Sequence, residues 1–330
     1  MSAGTGSSIL VVGGSGFVGA HLARALAARR HHVRVLTRAP DRAADLRSAG
    51  IEICQGDLAD QSSLQRACEG ARLVFSAAGV AAGGGSVECW AVRPVGVGRL
   101  VDAAASAGVR RVVHCSTAGV HGSPRELPAN EDAPLDPSNA CDAARLEGER
   151  VAREAAARAG IELVVVRPSL AYGPGDTRLL RLFRGIVRRR FVLLGTGDVS
   201  VHPVYVDDLV EGLRLTGDSS HAVGRTYILA GGEMTRLGDL VQLIAREAGV
   251  KPWPVRLPVW PVYAAAAACE ATVAPFGIRP PLARHQLAIF TESHAFDISR
   301  ARAELGFAPQ VGLREGVRRC LEWYRGRNLV

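Results

Sequence analysis

The sequence predicts an α/β protein: a doubly wound parallel sheet followed by a smaller, mixed C-terminal lobe. Three observations carry that prediction. Short β-branched runs alternate with helical apolar stripes from Ile9 to Pro168, and a glycine-rich turn joins the first pair. Beyond residue 170 the alternation loosens. Strand–helix alternation gives a parallel sheet with helices on both faces and ligands at the carboxyl ends of the strands. Residues 1–170 are therefore expected to form the sheet domain, and residues 171–330 mainly a substrate lobe with some segments returning to it.

The first strand is the apolar run Ile9 to Val12, and the helix after it carries Phe17, Leu22 and Leu26 on one face up to Arg30. Between them stands Gly13-Gly14-Ser15-Gly16-Phe17-Val18-Gly19. Glycines there let the backbone turn tightly and approach a pyrophosphate, while the helix N-terminus offers N–H donors and partial positive charge. Gly13, Ser15, Gly16, Phe17, Val18 and Gly19 are the expected cradle of a Rossmann nucleotide site, with an ordinary glycine turn as the competing reading.

The second strand, Val33 to Thr37, ends at Arg38, with Arg42 one turn on. A dinucleotide's adenosine ribose lies at this end, where a carboxylate would select NAD. A guanidinium instead favours the 2′-phosphate of NADP. NADP is the expected cofactor over NAD, against the alternative that Arg38 is one surface arginine among many. The third strand, Ile51 to Cys54, leads into Gly56-Asp57-Leu58, where Asp57 can meet an adenine amino group. The fourth, Leu73 to Ser76, runs into Ala77-Ala78-Gly79, small enough for a cofactor to lie against backbone. A helix over Glu88 to Ala107 comes next, weakened by Pro94 and two glycines. The fifth strand, Arg111 to Cys115, ends in Ser116-Thr117. A polar loop, a helix over Asn139 to Ala159 and a sixth strand over Ile161 to Val166 complete the pattern, which closes on Arg167-Pro168.

In the second half the residues predict a helix over Arg178 to Arg190 with a solvated arginine face. They also predict a strand over Arg225 to Ala230, a helix over Leu237 to Ala248, and two helices between Asp297 and Tyr324. Asp176 and Asp207 can bind polar substrate groups, although helix N-capping suits Asp207-Asp208 better, and His121 and His202 either face the substrate cavity or, as is commoner for a lone histidine, are hydrogen-bonded structural residues. The most apolar run, Val259 to Phe276, is broken by Pro261 and Glu270 and falls short of a span. It reads as a packed helix, with contact to a lipid-like ligand as the alternative.

Composition bounds the function. The chain has 330 residues, 48% of them apolar, and a formal charge of +8. Its basic residues are scattered, and Lys251 is the one lysine, so a nucleic-acid partner is not expected. The seven cysteines, Cys54, Cys68, Cys89, Cys115, Cys141, Cys269 and Cys320, form no CxxC pair and no metal-ligand spacing. Reduced thiols, no metal and a cytoplasmic location are expected, with a small-molecule substrate of apolar character as the partner. A homodimer is compatible with such a chain.

Taken together, these motifs resemble the extended short-chain dehydrogenase/reductase superfamily, in its branch of NAD(P)-dependent epimerase/dehydratases and 3β-hydroxysteroid dehydrogenase/dihydroflavonol reductase-like enzymes. The resemblance runs from the glycine turn through Gly56-Asp57-Leu58, Ser116-Thr117, Arg167-Pro168 and Tyr172-Gly173-Pro174-Gly175. It continues through Val206-Asp207-Asp208 to Asp297-Ile298-Ser299-Arg300 and Leu305-Gly306-Phe307. It implies hydride-transfer machinery made of a Ser/Thr after the fifth strand and a Tyr-x-x-x-Lys on the fifth helix. Thr117 matches the first. The second aligns on Cys141-Asp142-Ala143-Ala144-Arg145, because Leu146-Glu147-Gly148-Glu149 matches the stretch usual just after it in the family. Thus Cys141 replaces the tyrosine and Arg145 the lysine.

The replacement has chemical consequences. The Cys141 sulfur stops about 3–4 Å short of a phenol oxygen, so water or a shifted substrate must bridge the gap. Arg145 shares a helix face with Cys141 and can hold ribose hydroxyls, but it exchanges no proton. Its charge can lower a neighbouring thiol's pKa. Three readings are open: an atypical NADP-dependent enzyme performing reduction, epimerisation, dehydration or isomerisation with catalytic Thr117, Cys141 and Arg145; a non-catalytic NADP-binding sensor or scaffold; and a non-redox lyase, cyclase or isomerase that keeps NADP as a structural ligand.

Overall fold

The fold is that of a computed structural model, which describes residues 8–78, 86–251, 255–273 and 287–330. In chain order the first half runs β1 (Ser8–Val12), α1 (Phe17–Ala28), β2 (His32–Thr37), α2 (Ala44–Arg47), β3 (Glu52–Gln55), α3 (Gln61–Cys68) and β4 (Leu73–Ser76). It continues with α4 (Ser86–Ser106), β5 (Arg111–Cys115), α5 (Ala140–Ala159) and β6 (Glu162–Pro168). These six strands join one seven-stranded sheet with β11 (Thr226–Leu229), in the order β11-β6-β5-β4-β1-β2-β3, and every pairing is parallel.

β1 sits in the middle because its apolar run satisfies both faces. Ile9 and Val11 point into one core with Leu22 and Leu26 of α1, and Leu10 and Val12 into the other with Leu64 of α3 and Leu100 of α4. A strand covered on both faces needs such an unbroken run. The order reverses at β1, between β2 on one side and β4 on the other, so the glycine turn emerges at the topological switch point.

α4 continues through Pro94 rather than breaking there. Its two glycines serve close packing. A Cβ on Gly96 would come within 2.9 Å of Leu58 Cβ, and one on Gly98 within 2.8 Å of a Val151 methyl on α5. Small residues bring α4 against its neighbours, and the same closeness fixes Leu58 at the end of the β3 loop.

The second half contains β7 (Leu170–Tyr172), α6 (Leu180–Val187), β8 (Leu193–Leu194), β9 (Ser200–Val201), β10 (Pro203–Tyr205) and α7 (Val206–Asp218). After β11 come β12 (Thr235–Arg236), α8 (Leu237–Ala248), β13 (Arg256–Leu257), α9 (Val259–Val273), α10 (Ala288–Thr291), α11 (Ser299–Leu305) and α12 (Leu313–Gly326). Three two-stranded sheets, β10-β7, β12-β9 and β13-β8, organise this part. α6 is shorter than the sequence predicts. Asp176 takes the Arg178 N–H at 2.9 Å and holds that residue in the preceding turn, and Arg189 ends the helix with φ of 54°.

Asp207 and Asp208 do not cap their helix; the N-cap is Tyr205. Instead, buried Asp208 accepts the N–H groups of Gln310 and Val311 at 2.9 and 3.0 Å, tying the approach to α12 onto α7. Among the described residues, no helix is long and apolar enough to cross a membrane.

Candidate functional site

The carboxyl ends of β1 to β6 open on one cleft of about 550 Å³. Gly13, Ser15 and Gly16 of the turn and Phe17 and Val18 of α1 form its floor. Gly13 has φ of +82°, and a Cβ there would lie 2.5 Å from Ala78 Cα, so only glycine lets β4's exit pass under the turn. Gly16 closes the turn by donating to the Gly13 carbonyl at 3.0 Å. A Cβ on Gly16 would meet only that carbonyl, at 3.2 Å, with open space beyond. Gly19 does not line the cleft; it stands behind it, where the Gly13 carbonyl occupies the place of a side chain.

Thr37 at the tip of β2 is buried and shares a 2.8 Å hydroxyl–hydroxyl hydrogen bond with Ser15, and its Oγ1 accepts the Ala39 N–H at 3.2 Å. This pair locks the end of β2 to the glycine turn and sets where the chain leaves for Arg38. Arg38 and Arg42 line that end of the cleft, and both are exposed. On the adjoining wall, Asp57 and Leu58 come after β3, and Ala77 and Ala78 after β4. Asp57 uses one carboxylate oxygen to accept the Ala59 N–H at 2.9 Å. Gly79 lies outside the described residues.

At the other end stand Thr117, Arg145 and Pro168. Thr117 caps the short 3-10 turn Ala118–His121, and its Oγ1 accepts the Gly119 N–H at 3.1 Å. The hydroxyl hydrogen is left to donate. Arg145 donates from Nη1 to the Ser116 carbonyl at 3.2 Å, while its Nε is buried with no acceptor in the protein. Burial pulls its pKa below the ordinary arginine value, and Asp142 opposes that shift. A buried donor without a partner is costly, and a ligand hydroxyl or phosphate oxygen satisfies it. The glycine cradle, the open face of Gly16 and this donor fit a dinucleotide laid along the cleft.

Cys141 is positioned by a strong cap. Asn139 Oδ1 accepts the N–H groups of Cys141 and Asp142, both at 3.0 Å, and its amide donates to Asp142 at 2.7 Å. The expectation of reduced thiols throughout fails here, because Cys141 is disulfide-bonded. A disulfide sulfur carries no proton, and Cys141 is not among the residues lining the cleft. α5 contains neither tyrosine nor lysine, and no tyrosine lines the cleft. Tyr172 and Tyr205 pack edge-to-face at 5.6 Å within the core, and burial pushes the Tyr205 phenol up to about 12.

Of the two readings open for His121 and His202, both take the structural one, as buried staples. His121 accepts from Arg167 Nη1 at 3.1 Å and, through its other nitrogen, donates to the Pro134 carbonyl at 3.2 Å. His202 accepts the Phe296 N–H at 3.2 Å and donates to the Gly231 carbonyl at 2.8 Å. Asp176 lines the cleft, but its carboxylate is taken by Arg178 at 2.9 Å.

Sequence reasoning missed Arg178 and Glu149. Arg178 lines the cleft over the Phe17 ring at 5.5 Å and donates to the Ala171 carbonyl at 2.7 Å. Glu149 makes a buried two-pronged pair with Arg167 at 2.8 and 3.1 Å, which fixes the end of β6 beside Pro168. Burial pushes the Glu149 carboxyl up, but the Arg167 guanidinium outweighs it and the net pKa is lowered. Among the described residues no His, Cys, Asp and Glu cluster has metal-holding geometry.

Comparison with known proteins agrees with this architecture. An uncharacterized protein, y4nL, of Sinorhizobium fredii is 31% identical over 337 residues, covering 96% of this chain and 94% of that protein. The 2-alkyl-3-oxoalkanoate reductase of Stenotrophomonas maltophilia is 29% identical over 330 residues, covering 94% and 97%. The crystal structure of gox2253 superposes with a TM-score of 0.84 at 28% identity, covering 98% of this chain and 99% of that one. Residues 9–230 match the profile described as the NAD dependent epimerase/dehydratase family, and the chain belongs to that family.

Proposed function

We propose that the cleft holds NADP(H), and that the protein uses it on an apolar carbonyl or hydroxyl compound with an altered proton-transfer set. The observation that carries this reading is the continuity of the cleft. One hollow runs from Arg38 and Arg42, past Gly16, to Thr117 and Arg145. Neither Arg38 nor Arg42 has an ion-pair partner among the described residues, so both are available to a 2′-phosphate. A nicotinamide at the Thr117 end supplies or takes up a hydride when the cofactor is bound.

The chain's own residues then have distinct roles. Arg145 Nε donates to a ribose hydroxyl and holds that sugar against Ser116. The Thr117 hydroxyl, its acceptor side occupied by Gly119, donates to a substrate oxygen and polarises it. Arginine stays protonated at all working pH values, so Arg145 orients and does not shuttle protons. Cys141 and Arg145 stand where the resemblance puts the tyrosine and lysine, and with no phenol on α5 the proton reaches the substrate oxygen through water. The apolar substrate class is taken from the alkyl chains in the name of the Stenotrophomonas reductase.

A second reading is a cofactor-binding protein without turnover. The disulfide at Cys141 favours it, since it removes the thiol hydrogen that residue could otherwise offer. Calorimetric titration with NADPH and NADH, then NADPH oxidation with medium-chain 3-oxo acids and steroid ketones, separates the readings. The enzyme reading expects tighter NADPH binding, with Arg38→Ala removing most of the preference, and measurable oxidation. Tight binding with no oxidation across the panel supports the sensor or scaffold reading, and equal affinities remove the Arg38 assignment.

A further inference from the structure

α9 is apolar on both of its faces, unlike an ordinary surface helix. It packs through Val259, Val262 and Ala266 onto Val192, Leu194, Leu287 and Phe290. The opposite face, with Trp260, Tyr263, Ala264 and Ala268 at helical spacing, is exposed and uncharged. Trp260 is 75% exposed and Tyr263 46%. Val255 and Leu257 of the adjoining β13 segment extend this patch at 37% and 44%. A solvent-facing helix surface is normally polar, and an apolar one marks an interaction site. Glu270, the helix's single charge, is half-buried and has a partner.

The surroundings of the patch are cationic. β13 pairs with β8, and the chain reaches β8 through exposed Arg188, Arg189 and Arg190, then Phe191 stacked on Phe290 at 6.1 Å. Arg256 on β13 and Lys251 before it are exposed as well. None of these five forms an ion pair among the described residues. Arg256 shares a surface hollow with Asp198 and Asp239, but Arg236 already binds Asp198 at 3.0 Å. A Trp/Tyr-bearing apolar face with a basic collar matches the headgroup region of an anionic bilayer. A second copy of the chain fits worse, because two identical basic collars would face each other across a two-fold axis.

We propose that the α9 face docks on an anionic phospholipid surface, lying in the interface without crossing it. This stands apart from the proposed chemistry and needs no cofactor or substrate. The test is flotation of the full chain with vesicles of phosphatidylcholine alone and of phosphatidylcholine with about one-third phosphatidylglycerol. Preferential flotation with the anionic vesicles is expected, falling as salt is raised. Trp260→Asp should lower partition by about tenfold or more, and each of Arg188→Glu and Arg190→Glu by at least about fivefold. Far-UV circular dichroism and the melting temperature should not move, since all three side chains are exposed. Quenching of unmodified protein fluorescence by bromine-labelled lipid gives a second readout free of any substitution. Equal partition to both vesicle types, unaltered partition of Trp260→Asp, or a solution dimer that Trp260→Asp dissociates while vesicles capture nothing, each overturns the proposal.

Discussion

Arg145 reaches from α5 to the Ser116 carbonyl at 3.2 Å and leaves its own Nε buried without a protein acceptor. Such a donor is an incomplete contact waiting for a ligand. Replacing Arg145 by Met removes the charge-assisted contact, worth roughly 1.5–3 kcal/mol. Dinucleotide affinity measured by calorimetry should fall about 10- to 100-fold. Lysine at the same position should recover part of it, whereas an unchanged dissociation constant for Met would mean that the ligand lies elsewhere.

The glycine turn separates a binding defect from a folding defect. Gly16→Asp puts a side chain into open space, so the variant should fold, keep its melting temperature within a few degrees, and lose both NADP(H) and NAD(H). Gly13→Ala instead forces a left-handed residue against Ala78 backbone at 2.5 Å. It should destabilise the protein by roughly 1–3 kcal/mol in chemical denaturation. If Gly16→Asp binds either nucleotide normally, the loop assignment is lost.

Reinstalling a phenol tests the altered proton path. Cys141→Tyr with Arg145→Lys should leave the native turnover unimproved if, as proposed, the proton travels by Thr117 and water. A large gain in carbonyl reduction would show a reductase that had simply lost its pair. Thr117→Val should cut kcat by about 10²-fold or more with little change in cofactor affinity. Cys141→Ala should leave turnover near the starting value, because a disulfide sulfur donates no proton.

Buried His202 makes stability pH-dependent in a definite direction. Burial lowers its pKa from the ordinary 6.5, the folded form holding it neutral between Phe296 N–H and the Gly231 carbonyl. Above 6.5 neither folded nor unfolded chain binds the proton, and the full stability is present. As the pH falls through 6.5 toward the lower folded value, only the unfolded chain takes it up, and stability drops. His121 and His294, also lowered first by burial, act in the same sense. The melting temperature should therefore fall between about pH 7.5 and pH 5.5, and His202→Gln should flatten that slope at a lower starting value. A slope unchanged in His202→Gln would assign the effect to other groups.

The parallel sheet, the apolar first strand and the glycine turn between β1 and α1 are legible in the amino-acid order alone, because each rests on local patterns. Apolar alternation, a β-branched run and glycine spacing act within one or two elements, so they are readable without long-range contacts. That Thr117, Arg145, Asp57 and Arg38 line one cleft is readable for the same reason: each comes after the carboxyl end of a strand or stands near a recognisable segment of a helix. Which polar residues are free is a matter of packing instead. The partners of His121, His202 and Asp208 are not in the local sequence: groups 13 to 103 residues away consume their hydrogen-bonding capacity. The Glu149–Arg167 pair and the outward apolar face of α9 share that origin. Burial and pairing depend on which elements meet, and in a protein of this size those meetings join segments far apart along the chain.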